Sequence, residues 1–166
     1  MVQEWLNYHA PGYSGLNDEE KSAIMNFSLL WSLFEAQVLD NSASASRIQT
    51  KMNEMNNLGL LKIEDFEKSK EYFTHRYFDG EKLNYRFEHL HFRDNDNRAL
   101  VELVLKDEAD LISEIVTALF IIVLRYRNNF FHGVKWAYGF EEQLDNFNIA
   151  NKLLMRTLEI HWTNGT

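Results

Sequence analysis

The stretch that most constrains the fold is "IVTALFIIVL", residues 115–124, ten residues in a row without a charge. A helix apolar on every side belongs at the centre of a bundle, where neighbours cover all its faces. It is about half the roughly 20 residues that a membrane span needs. The helical pattern extends over 110–132 and stops at Gly133, since glycine after the last turn is the commonest terminator. With 166 residues, 45% hydrophobic, seven glycines and one proline, the chain has the size and composition of one domain with a substantial core.

The covering helices are legible around it. Asn17 or Asp18 can cap a first helix, Glu19 and Glu20 suit its amino end, and Ile24, Phe27, Trp31, Phe34 and Val38 form one apolar stripe to about Asp40. "DNSASAS" breaks it, and 44–56 can form a more polar helix facing inward through Ile48, Met52 and Met55. Residues 63–78 suit a half-exposed helix with opposite charges three and four apart, and "DG" at 79–80 is a turn. "EKLNYRFEHLHF", 81–92, is ambiguous: Leu83, Tyr85 and Phe87 alternate as in a strand, while Leu83, Phe87 and Leu90 fit the favoured helix. "RDNDN" is a loop ending in a cap, a short helix runs to about Lys106, and 141–161 forms a last amphipathic helix. The expectation is an all-α, up-and-down bundle with a variable middle insertion, built as a leader segment over 1–16 and a single helical domain over 17–166.

Composition narrows the chemistry. The absence of cysteine rules out disulfides, thiolate nucleophiles and cysteine-ligated metals, and together with the missing secretion signal it fits a soluble, cytoplasmic protein. A net charge of -8 opposes sequence-blind attraction to nucleic acid. Locally the balance inverts: between Glu114 and Glu141 there is no acid, while Arg125, Arg127, His132 and Lys135 fall there. "HLH" at 89–91 lacks a convincing third metal ligand, and those histidines read as surface or packing residues. No metal or cofactor is expected.

"RYRNNFFHG", 125–133, closes the apolar helix. Spacing alone admits a bland reading, because basic side chains favour a helix carboxyl end and glycine stops the helix. The arginine, four-residue spacer and histidine of Arg127 and His132, with Asn128 directly after the arginine and Gly133 after the histidine, resembles the HEPN superfamily motif, in particular its defence-associated and toxin-like branches. The likeness covers roughly 17–40 and 110–161. Arg125, with a six-residue spacer, also satisfies the pattern; Arg127 is preferred because the arginine-asparagine pair matches better.

The resemblance implies a metal-independent endoribonuclease acting on RNA, a toxin or antiphage effector. RNA carries its own nucleophile, the 2'-hydroxyl. Histidine can move the required protons near neutral pH, and a guanidinium can bind the charge that develops on the phosphoryl oxygens. His132 and Arg127 are assigned those roles, Asn128 contacts the ring or the phosphate, Arg125 and Asn129 support the site, and Glu35 orients Arg127 by a bidentate salt bridge. Trp136 and Tyr138 are candidates to stack on an unpaired base, with Lys135 beside them. Residues five apart on a regular helix point about 140° from one another and lie about 7.5 Å apart along the axis. Either the final turn is distorted or a second copy completes the site; the resemblance implies the homodimer. The alternative is a noncatalytic helical module that dimerises or binds a partner such as a nucleotidyltransferase-like antitoxin.

Overall fold

The structure, a computed structural model, describes residues 1–131 and 143–165. Eight α-helices are present among them: α1 (Val2–His9), α2 (Asp18–Gln37), α3 (Ala45–Asn57), α4 (Glu67–Tyr77), α5 (Tyr85–Glu88), α6 (Arg98–Leu105), α7 (Ile112–Phe131) and α8 (Leu144–Thr163). The fold is all-α. The only β pairing among the described residues is an isolated bridge between Phe78 and Leu83.

The uncharged run becomes the centre of α7, and every residue from Val116 to Leu124 is at most 1% exposed. α2 packs along α8, while α3 and α6 pack on α7. Phe34 of α2 stacks on Phe120, with centroids 4.7 Å apart. Earlier in α2, Phe27 meets Phe147, which in turn meets Tyr126. Asn151 of α8 also donates to the Ala23 carbonyl, so earlier residues of α2 face later residues of α8 and these two helices run in opposite directions. α4 and α8 are also opposed, since Tyr72 bonds Asn146 at one end and Asp65, just before α4, pairs with Arg156 at the other.

α2 starts where its capping residues predict. The Asn17 side chain accepts from the Glu20 amide at 2.9 Å, and the Glu20 carboxylate accepts from the Asn17 amide at 2.8 Å. Such a cap contributes about 1 kcal/mol. The middle of the chain, expected as an insertion, is built into the same core through Ile48, Met52, Phe66, Phe73, Phe87 and Val101, none of them exposed. Within 81–92 the helical reading survives as the four-residue α5 and the strand reading as the single bridge. Asn84 caps α5 by accepting from the Arg86 amide. The leader contains α1, which buries no residue.

Candidate functional site

Successive residues near the end of α7 face different partners, so "RYRN" splits into separate environments. Tyr126 turns toward α4, where its hydroxyl meets that of Tyr77, and both are 2% exposed. Burial pushes the Tyr77 hydroxyl up to about 12 and raises Tyr126 as well.

Arg125 turns toward the segment that follows α5 and is 3% exposed. Its Nε donates to the Leu90 carbonyl at 3.0 Å, and its Nη1 donates to Asp96 Oδ2 at 2.9 Å. Burial depresses its pKa, and the Asp96 carboxylate opposes that shift. Asn129, one turn later, donates to the Leu90 carbonyl at 3.2 Å and is 3% exposed. Arg125 and Asn129, expected to support the site, are instead spent on holding 89–96 against α7. A buried guanidinium with a buried carboxylate is a structural pair, and neither member is presented to a substrate from solvent.

Arg127 is placed differently. Its Nη2 lies 3.6 Å from Glu35 Oε2, and the two side chains keep 28% and 23% of their surface exposed. The Glu35 oxygen also accepts from the Trp31 indole at 2.7 Å, which fixes the carboxylate from the buried side of α2. Arg127 Nη1 donates to the Asn128 side-chain oxygen at 3.0 Å. Glu35, Arg127 and Asn128 therefore form one contiguous group. At 3.6 Å the approach of Arg127 to Glu35 is an ion pair longer than a hydrogen bond, looser than the two-pronged hydrogen-bonded geometry expected. Trp31 was read as core alone; its part in aligning Glu35 follows from the i, i+4 spacing on α2, where the indole of residue 31 reaches residue 35.

His132, Lys135, Trp136 and Tyr138 lie outside the described residues. Among the described residues, no cluster of three or more histidines, cysteines or acids is arranged to hold a metal ion, and no helix is long and apolar enough to cross a membrane.

Fold and site together define an all-α helical protein carrying a half-exposed, carboxylate-aligned arginine near the end of its central helix. Comparison with known proteins finds no matching family model, no matching curated protein and no matching solved structure.

Proposed function

We propose that the protein is a metal-independent endoribonuclease of the HEPN type, acting as a toxin or antiphage effector. The observation that carries this reading is the Arg127 guanidinium, held between the Glu35 carboxylate at 3.6 Å and the Asn128 amide at 3.0 Å, five residues before His132. It is charged, aligned and still in contact with solvent. Arg125, the other arginine that fits the motif, is committed to Asp96, which favours the assignment of Arg127.

The reaction needs few parts. A base removes the proton of the 2'-hydroxyl, whose oxygen attacks the adjacent phosphorus. The bond to the 5'-oxygen breaks, and that oxygen takes up a proton. The products end in a 2',3'-cyclic phosphate and a 5'-hydroxyl. His132 serves proton transfer, and Arg127 stabilises the charge on the phosphoryl oxygens. Because the motif residues diverge on a regular helix, a homodimer is part of the proposal. Expression of wild type, Arg127→Ala and His132→Ala tests it, scored by growth arrest and by fragments with cyclic phosphate ends. Cleavage that persists in a chelator but is lost in both variants supports the reading. Equal harmlessness of all three, with RNA left intact in vitro, removes it.

One observation favours the noncatalytic reading, a dimerisation or partner-binding module. The exposed positions of α2 from Ser22 to Leu33 are Ser22, Met25, Asn26, Leu29, Ser32 and Leu33, with no charge among them. Such a face suits a protein partner whether or not RNA is cut.

A further inference from the structure

The segment 85–93, "YRFEHLHFR", divides its side chains between two sides. Phe87 and Leu90 are 0% and 3% exposed and point into the core. Tyr85, His89, His91 and Arg93 are exposed. Their rings follow one another along the surface: Tyr85 meets His89 edge-on at 5.7 Å, and His89 lies nearly parallel to His91 at 6.1 Å. The Arg86 guanidinium sits 5.3 Å from the centre of the Tyr85 ring.

The electrostatics differ from those of the molecule. The segment has two arginines against one glutamate in a chain of net charge -8. That glutamate, Glu88, is gripped by both terminal nitrogens of Arg98 at 2.9 and 2.7 Å. The hydrogen bonds from Arg98 hold its carboxyl below the ordinary value. Asp94, also exposed, follows directly at the end of the strip.

The strip is fixed in place. Arg125 and Asn129 both donate to the Leu90 carbonyl, and Asp96 anchors the far end through its ion pair with Arg125. This tethers the backbone between His89 and His91 to the last turns of α7, beside the end that carries Arg127 and Asn128. A buried ion pair costs desolvation, and here it locks a mostly polar segment in one register on the central helix.

We propose that residues 85–93 form a binding strip for single-stranded RNA, with Tyr85 and His89 stacking on bases and Arg86 and Arg93 holding phosphates. Exposed rings in series accept any base face, and flanking guanidiniums supply positive charge for the phosphate backbone. The inference rests on the ribonuclease reading for the choice of RNA, and it gives that site a substrate class: unpaired rather than duplex RNA.

The test uses a labelled 12-nucleotide 2'-O-methyl RNA, which lacks the attacking hydroxyl, with anisotropy as readout. The full chain is compared with Tyr85→Ala/His89→Ala and with Arg93→Gln; all three positions are exposed, and a thermal melt verifies folding. The double variant is expected to bind at least ten-fold more weakly, and Arg93→Gln to lower the slope of log affinity against log salt by about 0.7. Binding of the double variant within two-fold of wild type, no binding by wild type, or equal binding of a duplex would overturn the proposal. Separate cleavage assays on unmodified RNA distinguish the two readings. A ten-fold binding loss with no cleavage by any form keeps the strip and removes the nuclease; unaltered binding with active cleavage does the reverse.

Discussion

Two arginines two residues apart on one helix illustrate how exposure decides what a charge is for. Arg125 and Asp96 have side chains 3% and 6% exposed, so removing either strands the other in the interior. Arg125→Ala is expected to cost about 3–5 kcal/mol, measured as a lower urea midpoint. Arg127 keeps contact with water, and Arg127→Ala is expected to change stability by no more than about 1 kcal/mol while abolishing cleavage. If the two variants showed the opposite pattern, the assignment of Arg127 to the phosphate would fail. Glu35→Gln separates charge from packing, because glutamine still offers an oxygen to the Trp31 indole. Cleavage is expected to fall on the order of ten-fold through misalignment of the guanidinium, with the melt nearly unmoved. The acid at position 35 could be singled out from sequence because it interrupts an apolar stripe. Asp96 could not, since "RDNDN" carries four acids or amides of equal standing in a loop and only the folded chain shows which one reaches Arg125.

Whole helices were most legible where burial is one-sided or complete. α2 and α8 show a stripe, α7 shows none because all its faces are covered, and each reading relies only on local spacing. The 81–92 segment was ambiguous because its conformation is set from outside, by Phe87 and Leu90 seated in the core and by side chains of α7 bonded to a backbone carbonyl. A similar long-range contact joins α4 to α7 through Tyr77 and Tyr126. Both tyrosines are held protonated by burial, Tyr77 up to about 12. An ordinary tyrosine in the unfolded chain ionises near 10. The folded pKa is the higher one, so the stability of this contact is fully present below about pH 10 and is lost as pH rises toward 12, by about 1.4 kcal/mol per pH unit for each tyrosine. Denaturant midpoints between pH 9 and 12 should fall in wild type and fall less in Tyr77→Phe/Tyr126→Phe. The helix interiors hold a second test. Thr117 of α7 and Thr157 of α8 are both 0% exposed, and neither hydroxyl has a hydrogen-bond partner among the described residues. Replacing either by valine keeps the shape and removes a buried polar group, which should raise stability by about 1 kcal/mol.

At the scale of the whole molecule, two opposed electrostatic demands meet. The chain carries a net charge of -8, so two copies repel each other, yet the exposed side of α2 from Ser22 to Leu33 is uncharged and presents Met25, Leu29 and Leu33 at 60%, 65% and 39% exposure. A second copy can approach on that face without adding like charges at the contact, and apolar burial then works against long-range repulsion. Salt shortens the reach of that repulsion, to about 10 Å at 0.1 M, and leaves the apolar term nearly intact. Dimerisation should therefore tighten as salt rises, which sedimentation at several ionic strengths would measure against the 19.7 kDa chain mass. Leu29→Glu should sediment as a folded monomer at every salt concentration and should not cleave RNA. The proposed RNA binding should respond in the other direction, because each phosphate contact would release condensed counterions and weaken as salt increases. Cleavage by wild type should consequently peak at intermediate salt, limited by assembly below the peak and by substrate affinity above it. Covalent linkage of two copies removes the first limit. The linked protein should lose the rising side of the profile and keep the falling side, whereas a nuclease that acts as a single copy would show the falling side alone in both forms.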